Sequence, residues 1–94
     1  MNFMENSEFI ARALRDYLRP FVDEAELHDM DRSLFVGEPA VSIFDGVCVA
    51  VEFGIALPPL FREKIIELGP LAMRLSDFIL EEFDKLPAYW QKAS

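Results

Sequence analysis

The run VSIFDGVCVAVEF, residues 41 to 53, is the most apolar stretch of this chain and admits two folds. Divided at Asp45-Gly46, a favoured two-residue turn, it is a β-hairpin between β-branched arms. Undivided, it is a single helix buried nearly all round. The polar residues separate the two. At about 100° per residue, Glu38, Ser42, Asp45 and Glu52 fall in an arc of about 80°, with Val49 the one apolar member of that stripe. A hairpin gives no comparable reason for those spacings. The helix would begin after Gly37, with Glu38 in its first turn and Pro39 at an allowed early position, and Gly54 would stop it. Valine is a poor helix former, and Gly46 in mid-helix costs about 1 kcal/mol relative to Ala. Tertiary burial must outweigh both, and a residue as small as Gly46 lets another helix pack closely. We therefore expect a helix over 38–53 with Asp45 on its surface. A hairpin over 41–53 is the alternative and would make the fold α+β.

The rest of the chain reads as helix at every segment. Over 6–19, Ser7 is a candidate N-cap, and Phe9, Ile10, Ala13, Leu14, Tyr17 and Leu18 recur at helical spacing until Pro20 interrupts. Residues 21–30 form a shorter helix with Phe21, Val22, Ala25, Leu27 and Met30 as its apolar members. Pro58 ends the connector Ile55-Ala56-Leu57, and a helix over 58–68 follows, with Leu60, Phe61, Ile65 and Leu68 apolar and Gly69 closing it. Pro70 opens a last helix over 70–86, whose buried stripe would be Leu71, Leu75, Phe78, Ile79, Leu80, Phe83 and Leu86. Pro87 ends it and leaves 86–94 as a tail. The expected fold is all-α, a bundle of about five helices in a single domain spanning 1–94.

Composition then limits function. The chain has 94 residues, 52% of them apolar, which supports a core without disulfides or structural metal. Its one cysteine, Cys48, excludes an internal disulfide, fits a reducing compartment and lies in the apolar run as a small hydrophobe. The N-terminus has no basic region or cleavage signature, and no apolar run is long enough to span a bilayer, so a cytoplasmic protein with no membrane partner is expected. The formal net charge is −8, which disfavours nucleic acid and suits a basic protein partner. That charge is local: residues 21–38 hold six acids and one base, a net −5.

No catalytic signature is present. His28 is the single histidine, and neither Ser33 nor Cys48 sits in a nucleophile motif. Glu24, His28 and Asp31 share one helical face, but a structural zinc site needs four ligands. Asp29, Asp31 and Ser33 open like a calcium loop that then fails, with Leu34 in place of its glycine and Ala40 in place of its final glutamate. Glu81, Glu82 and Asp84 read as a solvated helix face. We expect no enzymatic activity, no cofactor and no metal. The segment with functional content is the acidic one: Asp23, Glu24, Glu26, Asp29, Asp31 and Glu38 would dock a positively charged protein, with Tyr89 and Trp90 as an aromatic anchor. The plainer alternatives are a solubilising surface and a pair of aromatics covering one end of the core.

The run GEPAVSIFDGVCVAVEFGIALPPLFREKIIELG, residues 37–69, resembles small helical immunity proteins of bacterial polymorphic toxin systems, notably the Maf-type and contact-dependent-inhibition groups. The resemblance rests on Gly37 and Glu38 before a buried helix, on Ile43, on the connector Ile55, Leu57 and Pro58, and on Ile65 and Leu68 in the next helix. Gly46 and Pro59 depart from that pattern. The resemblance implies a cytoplasmic monomer or homodimer that binds one cognate toxin domain, often a nuclease with a basic groove, and blocks it. The other class consistent with the residues is a helical adaptor or small subunit of a bacterial or phage complex, which would expose an apolar groove.

Overall fold

Residues Pro39–Phe53 form one α-helix, so the apolar run is not a hairpin. The computed structural model describes residues 6–71 and 74–89 in full and 3–5 as backbone, and among these there is no strand. In chain order the elements are α1 (Phe3–Leu18), a 3-10 turn (Glu24–Leu27), α2 (His28–Phe35), α3 (Pro39–Phe53), α4 (Pro59–Glu67) and α5 (Leu75–Phe83). This is the expected all-α bundle of five helices.

Helix α3 is the axis. Helices α1, α2 and α5 all pack against it, while α4 packs against α1 and α5. Both of its ends are set by glycine. Gly54 has φ 65°, and the Gly54 and Ile55 amides donate to the Val51 and Ala50 carbonyls, which caps the exposed end of the helix. Gly37, at φ 79°, closes α2 in the same way: its amide donates to Leu34 and the Glu38 amide to Ser33. Pro39 then starts α3 where a missing N–H costs nothing.

The core is continuous around α3. Ile43, Val47 and Ala50 share one buried cluster with Ile10, Leu14 and Leu18 of α1, Leu27 and Met30 from the α2 side, Ile65 of α4, and Ile79 and Phe83 of α5. Each fully buried aliphatic side chain contributes about 1.5–3 kcal/mol relative to exposure. Gly46 lies where α1 and α2 come closest to α3. A Cβ built there would stand 2.7 Å from Leu14 Cδ2, 2.7 Å from Met30 Cε and 2.9 Å from Met30 Sδ. The close approach expected of this glycine is thus present, and two helices use it rather than one.

Several expectations need correction. The polar stripe of α3 is not a solvent face throughout. Ser42 is fully buried, and its hydroxyl donates to the Met30 carbonyl at 3.0 Å. Asp45 is half-buried and accepts from the Ser33 hydroxyl at 2.9 Å. Glu38 and Glu52 alone remain exposed, because α2 lies over the small residues between them. Ser7 is no N-cap: α1 begins earlier, and Ser7 is buried inside it. The helix expected over 21–30 is displaced toward the C-terminus. Asp23 is extended, and the true stop is Gly37, so Leu27, Met30 and Leu34 face α3 at helical spacing. The helix expected over 70–86 is an α-helix over Leu75–Phe83 alone, which starts after Arg74 in a left-handed conformation (φ 58°) and ends three residues before Leu86. Four aromatic residues assigned to buried faces, Phe9, Phe21, Phe53 and Phe78, are exposed.

Gly46→Ala tests the crossing point. Overpacking costs about 1–3 kcal/mol and improved helix propensity offsets about 1, so urea denaturation should show a net loss of about 1 kcal/mol. In a Met30→Ala background the added methyl gains room, and the same substitution should cease to destabilise, a coupling measured by a double-mutant cycle.

Candidate functional site

Where α1 ends, Pro20 turns the chain and places Phe21 at the corner, 55% exposed, its amide donating to the Leu18 carbonyl. The C-terminus of α3 brings Phe53 to the same corner, also exposed. Two open recesses adjoin these rings. One, of about 260 Å³, is lined by Pro20, Phe21, Val22, Asp23, Glu26 and Phe53. The other, of about 410 Å³, is bounded by Tyr17, Phe21, Phe53, the 54–56 connector and Tyr89. Phe21 and Phe53 line both and so form the ridge between them. Behind the ridge, Tyr17 holds the aromatic group in place. Its ring lies 5.5 Å from Phe21 and 5.9 Å from Phe61, and its hydroxyl donates to the Ala56 carbonyl at 3.2 Å. Burial, and then the neighbouring Tyr89, push the Tyr17 hydroxyl above its ordinary pKa, so it stays protonated as a donor.

The acidic residues divide into two groups. Glu24 and Asp31 are both drawn onto Arg15. Its guanidinium Nη2 lies 2.9 Å from Asp31 Oδ2 and 3.2 Å from Glu24 Oε2, and its Nε also binds Asp31. That hydrogen bond holds the Asp31 carboxyl below the usual carboxylate range and raises Arg15. Asp29 pairs with Arg32 at 2.8 Å on the exposed face of α2. Asp23, Glu26 and Glu38, in contrast, form no ion pair among the described residues. Asp23 and Glu26 stand on the rim of the aromatic corner. Glu38 is at the other end of α3, about 20 Å away along the helix.

Of the residues expected to bind a partner, Asp23 and Glu26 therefore line one recess of this corner and Tyr89 the other. Glu24 and Asp31 share an ion pair with Arg15, Asp29 pairs with Arg32, Glu38 is remote, and Trp90 lies outside the described residues. Phe21 and Phe53 complete the corner but were read as members of buried faces. Their positions beside Pro20 and Gly54, where a helix ends and its apolar face loses its cover, were the available signal.

His28 is exposed at the start of α2, and among the described residues no three of His, Cys, Asp and Glu converge as they would on a metal. The Cys48 thiol is half-buried and pushed up by that burial, with Glu82 and Asp45 adding to it, so it is not a thiolate near neutrality. No described helix is long and apolar enough to cross a membrane. Two further apolar features are exposed. Phe35, 90% exposed, lies over the Arg12, Arg15 and Asp31 face of α1 and α2. An open groove of about 500 Å³ runs between α1 and α4. No protein-family model, curated protein or solved structure matches the chain.

Two carboxyls predict opposite pH behaviour. Asp31 is lowered, so its contribution is present above its ordinary range and lost as pH falls through the folded value. Asp45 is raised by burial, so its contribution favours the fold at low pH and is lost as pH rises through the folded value. In urea titrations at about pH 7, Asp31→Asn should cost up to about 1 kcal/mol, and Asp45→Asn, which keeps an acceptor for Ser33, should gain up to about 1. At about pH 2.5 both differences should close.

Proposed function

We propose that this protein is a binding and inhibitory module of the immunity or antitoxin type, which neutralises a cognate bacterial toxin domain through its Phe21, Phe53 and Tyr89 corner. The observation that carries the reading is the juxtaposition of exposed aromatic rings with the carboxylates of Asp23 and Glu26, which form no ion pair among the described residues. Aromatic side chains in a recessed surface give the buried anchors that dominate interface energy. Adjacent free carboxylates steer a basic partner and orient it. A nuclease domain, whose substrate groove is basic, is the partner class that fits both. The resemblance over 37–69 supports the same reading. In this reading the protein acts in the cytoplasm, without a cofactor. A helical adaptor or subunit is the second reading, and the open α1–α4 groove favours it.

The test is co-expression and binding with the toxin domain encoded beside this gene. The wild-type chain should rescue growth and bind. Phe21→Ala with Phe53→Ala should weaken binding by about 30-fold or more, a loss of about 2 kcal/mol. Asp23→Lys with Glu26→Lys should slow association about tenfold, with the slowing largest at low salt. Phe35→Ser, distant from the corner, should leave binding within about twofold. Loss of binding on Phe35→Ser alone, or indifference to all the corner substitutions, overturns the assignment.

A further inference from the structure

The groove between α1 and α4 lies on a different part of the surface from the acidic segment, and its chemistry is different. Ile10 and Ala13 of α1 and Phe61 and Leu68 from the α4 side line it. Phe9, 68% exposed, and Leu60, 58% exposed, stand along it. We propose that this face is the interface of a symmetric homodimer, in which the α1–α4 groove of one copy covers that of a second.

Three observations select a second copy over a basic partner. The first is shape. A two-fold contact brings one patch against itself, so that patch must contain both hollow and projection. This one does: an apolar trough flanked by two exposed apolar side chains. The second is charge. Two chains of net charge −8 repel, and they can meet only where the local charge is near zero. Helix α4 is neutral, with Arg62 and Lys64 against Glu63 and Glu67, and the α1 residues in the groove (Asn6, Phe9, Ile10, Ala13) are uncharged. None of the acids of 21–38 lines the groove: Glu24 and Asp31 pair with Arg15, Asp29 pairs with Arg32, and Asp23 and Glu26 line the aromatic corner. A basic partner is drawn there instead. The third is complementarity at the rim. Lys64 and Glu67 both line the groove, and their charged groups are 3.3 Å apart within one chain. With α4 antiparallel across a two-fold axis, Lys64 can face Glu67 of the second copy, and the exchange satisfies both rims at once.

This inference does not rest on the toxin-binding reading, and its experiment is separate. Sedimentation equilibrium of the full chain from about 1 to about 200 µM should show a monomer–dimer equilibrium. Phe9→Glu and Leu60→Glu each alter an exposed side chain, and circular dichroism should show the fold retained. Each should raise the dimer dissociation constant at least about tenfold, since it places a charge in an apolar contact. Lys64→Glu should weaken the dimer, and adding Glu67→Lys should restore it. Asp23→Lys with Glu26→Lys should leave the dimer intact. A chain that stays monomeric at the highest concentration overturns the proposal and leaves the groove to a foreign helix or small apolar ligand. So does a dimer that survives both Phe9→Glu and Leu60→Glu, or one lost only on reversal at Asp23 and Glu26.

Discussion

The crossing of α1 and α2 over Gly46 is the contact on which the other positions depend. Leu14 and Met30 reach α3 at one point because that point carries no side chain. Close approach there brings α2 near enough for Ser42 to bond the Met30 carbonyl and for Ser33 to bond Asp45. Those two bonds, at Met30 and Ser33 about one turn apart on α2, fix its register on α3, which apolar contact alone would leave free to slide. With α2 in place, Asp31 and Glu24 fall opposite Arg15 of α1, so α1 is tied to the same assembly by charge as well as by packing. Helices α4 and α5 then close the remaining sides of α1 and α3.

Helix α1 also divides the surface into regions of different chemistry. Its Arg15 side gathers the carboxylates of the acidic segment and neutralises part of them. Its Ala13 and Ile10 side borders the near-neutral groove with α4. Its C-terminal end, through Tyr17 and the turn at Pro20, carries the aromatic corner with Asp23 and Glu26. Within the acidic segment, Asp23, Glu26 and Glu38 alone form no ion pair among the described residues, so the patch suited to a basic partner is smaller than the segment as a whole. The separation also allows a second copy and a foreign partner to be held at the same time without competing for one surface.

Legibility in the sequence followed the range of the forces involved. Helix α3 could be read because its cues are local: Pro39, Gly54 and the spacing of Glu38, Ser42, Asp45 and Glu52 each act within a few residues. Helix α4 was bounded within a residue at each end for the same reason. The failures cluster where local preference leaves two answers. Residues 21–35 contain helix formers throughout, and only the need of Leu27, Met30 and Leu34 to face α3 places the helix late. Phe9, Phe21 and Phe78 keep helical spacing with their neighbours, yet a small bundle cannot cover every side of each helix, so which ring stays outside depends on the packing partners.

The chain by itself determined the all-helical class, the boundaries of α3 and α4, the close-packing role of Gly46 and the acidity concentrated in 21–38. These follow from periodicity, helix termini and charge, which are properties of neighbouring residues. Only the tertiary structure decided that Ser42 and Asp45 face α2, that Arg15 pairs with both Glu24 and Asp31, and that Asp23 and Glu26, without an ion pair among the described residues, stand beside Phe21 and Phe53. Pairing and exposure are set by which elements lie across from one another. That arrangement brings together residues as distant in the chain as Phe21 and Tyr89, which no local pattern relates.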